Sequence, residues 1–165
     1  MEAITVSQAR IKFAGKFDLG DYYRLLYDIF RSMGYDVEES KYKHKTNPTG
    51  DEIELEWNCL KRSDDYTRFK IFAKTLIVGL NKVQVQIEGV PASRHTGDTE
   101  LELKAQVQTD FTNRWETHPL LKFFKGFYQT YIYKNTLESL MGKLQNEMET
   151  VENEMKAFFN MQRFM

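Results

Sequence analysis

The sequence contains little of what disulfide-rich, fibrous and disordered proteins need. Its 165 residues include one cysteine, three prolines and nine glycines. One thiol excludes an intramolecular disulfide, and so little glycine and proline excludes collagen-like repeats and low-complexity disorder. Hydrophobic residues make up 41% of the chain, and a chain of this length buries about 70% of its unfolded surface. The composition therefore predicts one globular domain that needs neither a disulfide nor a metal to fold.

Charge of one sign and long apolar runs are also scarce. Lysine and arginine number 23 against 24 aspartates and glutamates, so no overall field attracts nucleic acid or an anionic membrane, and any such binding must be local. No window of the sequence approaches the roughly 20 apolar residues of a membrane span. The first residues lack the basic and apolar regions of a secretory signal. We expect a cytoplasmic protein in which Cys59 is buried as a small hydrophobe.

Motifs of catalysis and metal binding are not present in the sequence. It has no phosphate-binding glycine loop, nucleophile elbow, metalloprotease helix or calcium loop. His44, His95 and His118 lie in separate segments without partners at metal-ligand spacing. We expect all three at the surface, with His118 capping a helix. The sequence accordingly predicts no catalytic residue, no metal site, no cofactor and no enzymatic activity.

One early helix is predicted from capping residues and apolar spacing. Asp18 can accept hydrogen bonds from the first-turn amides, and Phe17 and Tyr22 occupy the two positions of a hydrophobic staple. Gly34 supplies a left-handed stop. Apolar residues recur along one side of this segment, at Leu19, Tyr22, Tyr23, Leu26, Phe30 and Met33.

Six strands are predicted from the alternation of apolar and polar residues. They lie at residues 4–13, 37–45, 53–59, 69–78, 83–88 and 101–108. A turn at residues 79–82 separates the fourth strand from the fifth, and a loop at 91–98 separates the fifth from the sixth. Short connections favour an antiparallel meander. We therefore expect an α+β fold with a six-stranded, mostly antiparallel, curved sheet, one N-terminal helix and a long C-terminal helical region.

The same alternation assigns side chains to two faces of the sheet. The predicted core face includes Ile53, Leu55, Trp57, Val83, Val85, Leu101, Leu103 and Val107, and the predicted solvent face includes Glu54, Glu56, Gln84 and Glu102. The carboxylate row at Glu52, Glu54 and Glu56 could form a catalytic or cation-binding site, but solvation on an exposed face is the stronger interpretation. The lysine-rich residues 41–45 likewise favour an exposed edge strand over a nucleic-acid contact.

The C-terminal region begins at Pro119, which suits a first helical position. One helix from Pro119 to Gln162 would be about 66 Å long, whereas a compact chain of this size is roughly 40 Å across. A break is therefore predicted at residues 135–138, where Asn135 can lead a capping box. The chain then divides into residues 1–134, a sheet region with the start of the helical region, and residues 135–165, a helix that packs on this domain or projects from it.

The last helix carries a heptad pattern. Its apolar residues are spaced alternately four and three apart, at Leu137, Met141, Leu144, Met148, Val151, Met155 and Phe158. This seam predicts contact with the sheet or with a second chain. The leading hypothesis is a non-enzymatic binding or assembly protein that uses the seam for self-association or partner docking, as a homo-oligomer or within a larger assembly. The alternative is a carrier of a small apolar ligand, in a pocket lined by Trp57, Phe69, Tyr128 and Tyr131.

The order strand, helix, antiparallel strands and long C-terminal helix resembles the helix-grip fold of the START and polyketide-cyclase-like superfamily. That resemblance implies a helix closing an apolar cavity over a curved sheet. The sequence also resembles small uncharacterised archaeal proteins of this length, through residues 17–27, 54–57 and 113–123. Those proteins carry no known activity, so the second resemblance implies a family without a mechanism.

Overall fold

Five strands, three α-helices and one π-helical turn make up the described part of the chain. The structure is a computed structural model that describes residues 1–114 and 117–163. The elements are β1 Glu2–Phe17, α1 Leu19–Ser32, β2 Asp36–Lys45, β3 Asp51–Arg62, β4 Thr67–Ile87, β5 Val90–Thr109, α2 Pro119–Phe127, the π-helical turn Tyr128–Ile132 and α3 Lys134–Arg163. Residues 115–116 and 164–165, which include part of the 113–123 resemblance and the end of the 135–165 region, lie outside the described residues.

The strands form one antiparallel sheet in the order β1-β5-β4-β3-β2. Because β1 and β2 are the two edges, α1 carries the chain across the whole width of the sheet. The α+β class and the antiparallel sheet are confirmed. The lysine-rich strand β2 lies at an edge, where lysines discourage pairing with another chain.

The predicted number of strands is wrong, because residues 69–78 and 83–88 belong to one strand, β4. Gly79 has a φ of 68°, and the pairing with β5 shifts between Val78 and Asn81. This irregularity is a bulge inside the strand, and its glycine and asparagine look like a turn in the sequence. The chain reverses instead at Glu88 and Gly89, whose φ values of 52° and 80° suit a two-residue hairpin.

The predicted loop at residues 91–98 is also wrong, because these residues are the first half of β5. Pro91 pairs opposite Gln86 close to the hairpin tip. A proline near the end of a hairpin costs little, since few ladder bonds are lost there. β4 and β5 are therefore paired over almost their whole lengths of 21 and 20 residues.

Three helices replace the expected single N-terminal helix and single C-terminal region. α1 begins as predicted, with Asp18 Oδ1 accepting from the Asp21 amide at 2.9 Å. α2 begins at Pro119, and His118 Nδ1 accepts from the Leu120 amide at 3.2 Å. The break before the last helix falls at Tyr133, slightly earlier than predicted, because the π-helical turn ends there.

The core lies between one face of the sheet and the helices α1 and α3. Phe13 on β1 stacks on Phe159 of α3 with ring centroids 4.7 Å apart. Tyr22 of α1 contacts the same Phe159 ring at 5.8 Å. Cys59 is buried as predicted, and burial raises the pKa of its thiol to about 12. Within the described residues, none of the helices is long and apolar enough to cross a membrane.

The two faces of the sheet are as the alternation predicts. All six residues predicted for the core face in β3 and β5 are buried: Ile53, Leu55, Trp57, Leu101, Leu103 and Val107. Val83 and Val85 are half-buried, because they lie beyond the Gly79 bulge in the outer part of the hairpin. Glu54 lies on the opposite face, where Lys41 and Lys74 approach it at 2.9 Å and 3.5 Å.

Replacing Glu54 and Glu56 together by glutamine is expected to change stability little at neutral pH. The hydrogen bond from Lys41 lowers the pKa of Glu54, so this carboxylate stabilises the fold above its unfolded pKa, and the effect is lost as pH falls through its folded pKa. Urea denaturation should therefore show a small deficit at pH 7 that disappears in acid. A variant that unfolds at pH 7 would show instead that these carboxylates belong to a tightly paired site.

Candidate functional site

A cleft of about 770 Å³ lies between α1 and the core face of the sheet. We call it the α1 cleft. It is lined by residues of α1, β2, β3, β4 and β5. Its volume is within the range of about 300 to 1,000 Å³ found for small-molecule sites. The cleft is open to solvent, so a ligand can enter without unfolding any element.

The floor of the α1 cleft is apolar. Ile53 and Leu55 on β3 and Ile77 on β4 all line it. Ile53 and Ile77 are directly paired across the two strands, and residues two apart on a strand share a face. The alternation that builds the core therefore also supplies the floor of the cleft.

The roof of the cleft is formed by two tyrosines one turn apart on α1. Tyr23 and Tyr27 present their rings on the same side of the helix. Both rings meet Trp57 edge to face, with centroids 5.0 Å and 6.2 Å away. Trp57 is itself buried, so it fixes the two tyrosines at the cleft without being exposed to a ligand.

A carboxylate lies at the β2 side of the cleft. Glu39 Oε1 accepts from the Tyr23 hydroxyl at 3.4 Å and from Trp57 Nε1 at 3.3 Å. Burial is the largest cause that raises the pKa of Tyr23, followed by the charge of Glu39 and this hydrogen bond. Tyr23 therefore stays a neutral donor at physiological pH and holds Glu39 in place.

A bulge in β2 brings a tyrosine to the same face as Glu39. Glu39 is opposite Trp57 and Tyr42 is opposite Leu55, with the register shifting in between. Without the bulge, positions 39 and 42 would point to opposite faces. In the described chain the hydroxyls of Tyr27 and Tyr42 make no hydrogen bond, and both remain available to a ligand.

A histidine lies at the opposite side of the cleft, on β5. Burial is the main cause that lowers the pKa of His95, with Lys82 adding to it and Asp18 opposing it. Its Nδ1 accepts from the Leu19 amide at 3.4 Å, so the neutral ring carries its proton on Nε2 and can donate it. Three strand spacings separate β5 from β2, which is about 14 Å.

The four residues predicted to line a pocket are not brought together. Trp57 and Phe69 are buried in the core. Tyr128 is half-buried and stacks on Tyr133 with centroids 5.4 Å apart, and Tyr131 is 74% exposed. Only Trp57 is near the α1 cleft, behind its roof. The sequence assigns the residues that line the cleft to packing of the early helix, to an edge strand, to the central strands of the sheet and, for His95, to a surface loop.

The seven seam residues of α3 face the chain's own sheet and α1. Leu144, Met148, Val151, Met155 and Phe158 are buried in the core, and Leu137 and Met141 pack against it at its margin. The predicted helix is therefore present, and its seam contacts the sheet. Partner binding by these residues stays a prediction, and it would require α3 to leave the sheet.

The cleft combines an apolar floor with a small number of polar groups. Its polar groups are two free tyrosine hydroxyls, the neutral His95, a hydroxyl pair formed by Tyr22 and Thr75, Arg24 at the rim, and one carboxylate already engaged by two donors. In residues 1–114 and 117–163 no three Cys, His, Asp or Glu side chains are grouped to bind a metal. No protein-family model and no curated protein matches this chain. The geometry of the cleft is therefore what bears on function.

Proposed function

We propose that this protein binds a small, largely apolar molecule in the α1 cleft and does not transform it. The observation that carries the proposal is an open cleft of about 770 Å³ whose apolar floor is bordered by free tyrosine hydroxyls. A mostly apolar pocket of this volume with a few polar groups at its margin is typical of small-molecule binding sites. Hydrogen-bonding groups at its margins would orient the ligand, while the half-exposed rings of Tyr23, Tyr27 and Tyr42 would supply most of the apolar contact.

The polar groups indicate which molecules fit. A carboxylate, Glu39, lies on the β2 side and disfavours an anionic group there. His95 donates from the β5 side, about 14 Å away, and suits a carbonyl or hydroxyl oxygen. Arg24 at the rim is near Asp21, at 3.9 Å, so its charge is partly compensated. An elongated neutral molecule, apolar in the middle with an oxygen at the His95 end, matches this arrangement.

The resemblance to the helix-grip superfamily points the same way, since it implies an apolar ligand held between helix and sheet. In this chain α3 packs tightly on the sheet, and the space lies beside α1 instead. Self-association through the α3 seam stays a second proposal. A cytoplasmic location stays a prediction of the sequence.

Filling the cleft should weaken ligand binding while the protein stays folded. Gly20 lines the cleft in the first turn of α1, and a Cβ there would meet only Asp18 Oδ1, at 3.2 Å. Gly20→Leu should weaken binding of the neutral probe N-phenyl-1-naphthylamine by about tenfold or more, because the leucine occupies apolar surface otherwise covered by the ligand. Fluorescence titration measures this change.

Gly142→Leu is the matched control, because Gly142 lies inside α3 with no atom within 4 Å of an added Cβ. Both substitutions replace a helical glycine by a good helix former, but only the first reaches the cleft. Native mass spectrometry of the purified protein should also detect a retained small molecule. Equal probe binding by both variants, with no retained molecule, would rule out the proposal.

A further inference from the structure

α2 is packed with its polar side toward the protein. Lys125 is 5% exposed, with its ammonium group 3.6 Å from Asp110 Oδ2 and 3.8 Å from Glu2 Oε1. One turn further on, Gln129 Nε2 donates to the Tyr66 hydroxyl at 2.7 Å and to Thr109 Oγ1 at 3.1 Å. These contacts fix the rotation of the helix about its axis.

The opposite side of this segment is apolar and faces solvent. Phe123 is 72% exposed. We call the whole exposed set the α2 surface, and it consists of Leu120, Leu121, Phe123, Phe124, Phe127, Tyr131 and Ile132. The arrangement is the reverse of a normal surface helix, in which the apolar stripe faces the core. An apolar surface held outward by specific polar contacts needs an occupant from outside the domain.

The geometry points to the surface of an anionic lipid bilayer as that occupant. A helix lying in the plane of the interface inserts phenylalanine and leucine side chains about 5 to 10 Å into the boundary of the acyl region. The apolar side chains of the α2 surface are of this kind. In an isolated interfacial helix the polar side faces water. Here the polar side of α2 would instead face the rest of the protein. The helix would lie on the membrane and would not cross it.

The charges around the α2 surface complement an anionic bilayer. Residues 117–137 contain three lysines and neither aspartate nor glutamate. Lys125 is turned inward, but Lys122 and Lys134 are exposed and make no ion pair within the described residues. Each cation near an anionic surface adds about fivefold to binding. This local positive region exists although the chain as a whole is nearly neutral.

A second copy of the chain fits the α2 surface less well. The nine residues of α2 and the five of the π-helical turn are about 21 Å long and about 10 Å wide. A second copy seated on this strip would bring Lys122 and Lys134 of the two copies near one another, and residues 117–137 offer no carboxylate to face them.

Vesicle flotation tests the inference. The protein should float with phosphatidylcholine vesicles that contain about 30% phosphatidylglycerol, at least about tenfold more than with pure phosphatidylcholine. Added salt should weaken this binding, because it screens the lysines. Phe123→Asp with Phe127→Asp should abolish flotation. Lys122→Glu with Lys134→Glu should reduce it by about tenfold or more.

Two matched controls separate the α2 surface from the rest of the molecule. Val90→Asp changes an apolar residue at the β4–β5 hairpin tip that is exposed to a similar degree. Lys104→Glu with Lys143→Glu gives the same net charge as the first lysine pair, on other elements. Both controls should float like the original protein.

A fluorescence measurement covers the case in which the aspartate variant does not fold. Phe123→Trp keeps an aromatic at the exposed position, and its emission should shift to shorter wavelength on anionic vesicles only. Failure of the original protein to float with anionic vesicles would overturn the inference, as would unchanged flotation after reversal of Lys122 and Lys134. A dimer in sedimentation that is lost in Phe123→Asp would reassign the surface to a second copy.

Discussion

Met148→Asp is expected to lower the free energy of unfolding by at least about 4 kcal/mol, because it removes buried packing and leaves an unpaired carboxylate in the core. Met148 is 0% exposed and lies in the middle of the α3 seam. The total free energy of unfolding of a domain of this size is about 5 to 15 kcal/mol. The variant should therefore be largely unfolded in mild urea, as measured by circular dichroism.

Met161→Asp is the matched control for this substitution. Met161 lies on the same helix and is 61% exposed, so the same chemical change should cost only a few tenths of a kcal/mol through the helix dipole. The pair also bears on self-association. If Met148→Asp kept the original stability but lost an oligomer in sedimentation, the seam would serve a second chain and not the core.

Gly50→Ala is expected to destabilise the fold by about 3 kcal/mol or more, through backbone strain and a clash that cannot relax. Gly50 has a φ of 132°, where side chains are rarely found. A Cβ there would lie 2.6 Å from the Gly79 carbonyl carbon and 2.8 Å from the Gly79 Cα. Both atoms belong to the backbone of the β4 bulge, so neither can turn aside.

Gly89→Ala at the hairpin tip is the control for Gly50→Ala. It measures the cost of placing alanine at a positive φ where no clash occurs. Gly89 has a φ of 80° with no atom within 4 Å of an added Cβ, so alanine should cost only about 1 to 2 kcal/mol there. Thermal and urea unfolding of the two variants would give the difference. Equal losses would mean that the turn before β3 can move away from the bulge.

The elements that the sequence predicts well depend on local signals. α1 has its cap at Asp18 and its staple at Phe17 and Tyr22, whose rings lie 6.2 Å apart. The α3 seam has enough turns for its spacing to be unambiguous. In both cases the residues that specify the helix are neighbours along the chain, so no distant contact is needed to interpret them.

The strand count could not be obtained in the same way. Gly79 and Asn81 have the composition of a turn, and only the partner strand decides whether they reverse the chain or bulge within it. Here Asn81 Nδ2 donates to the carbonyl oxygens of Gly79 and Thr49, at 3.2 Å and 3.3 Å. The second contact comes from a turn more than 30 residues away, and a sequence pattern does not reveal it.

The candidate site was missed for a related reason. The α1 cleft is lined by residues from five elements. The bulge in β2 also places Tyr42 on the face of the sheet opposite to the one that simple alternation predicts from Glu39. Tyr23 and Tyr27 are visible in the sequence as an aromatic pair one turn apart. Their spacing alone does not distinguish a core stripe from the roof of a cleft, because that depends on where the sheet ends beneath them.

The π-helical turn has a consequence for how the outward-facing helix could arise. The Tyr133 amide bonds to the Tyr128 carbonyl, five residues back, at 2.8 Å. A π-helical turn holds one residue more than the α-helix it interrupts, and one residue corresponds to a rotation of about 100°. Deleting a single codon within residues 128–132 would thus turn α2 relative to α3 and withdraw Lys125 from Asp110. In evolution, one inserted codon is enough to change which side of this helix the protein shows to its surroundings.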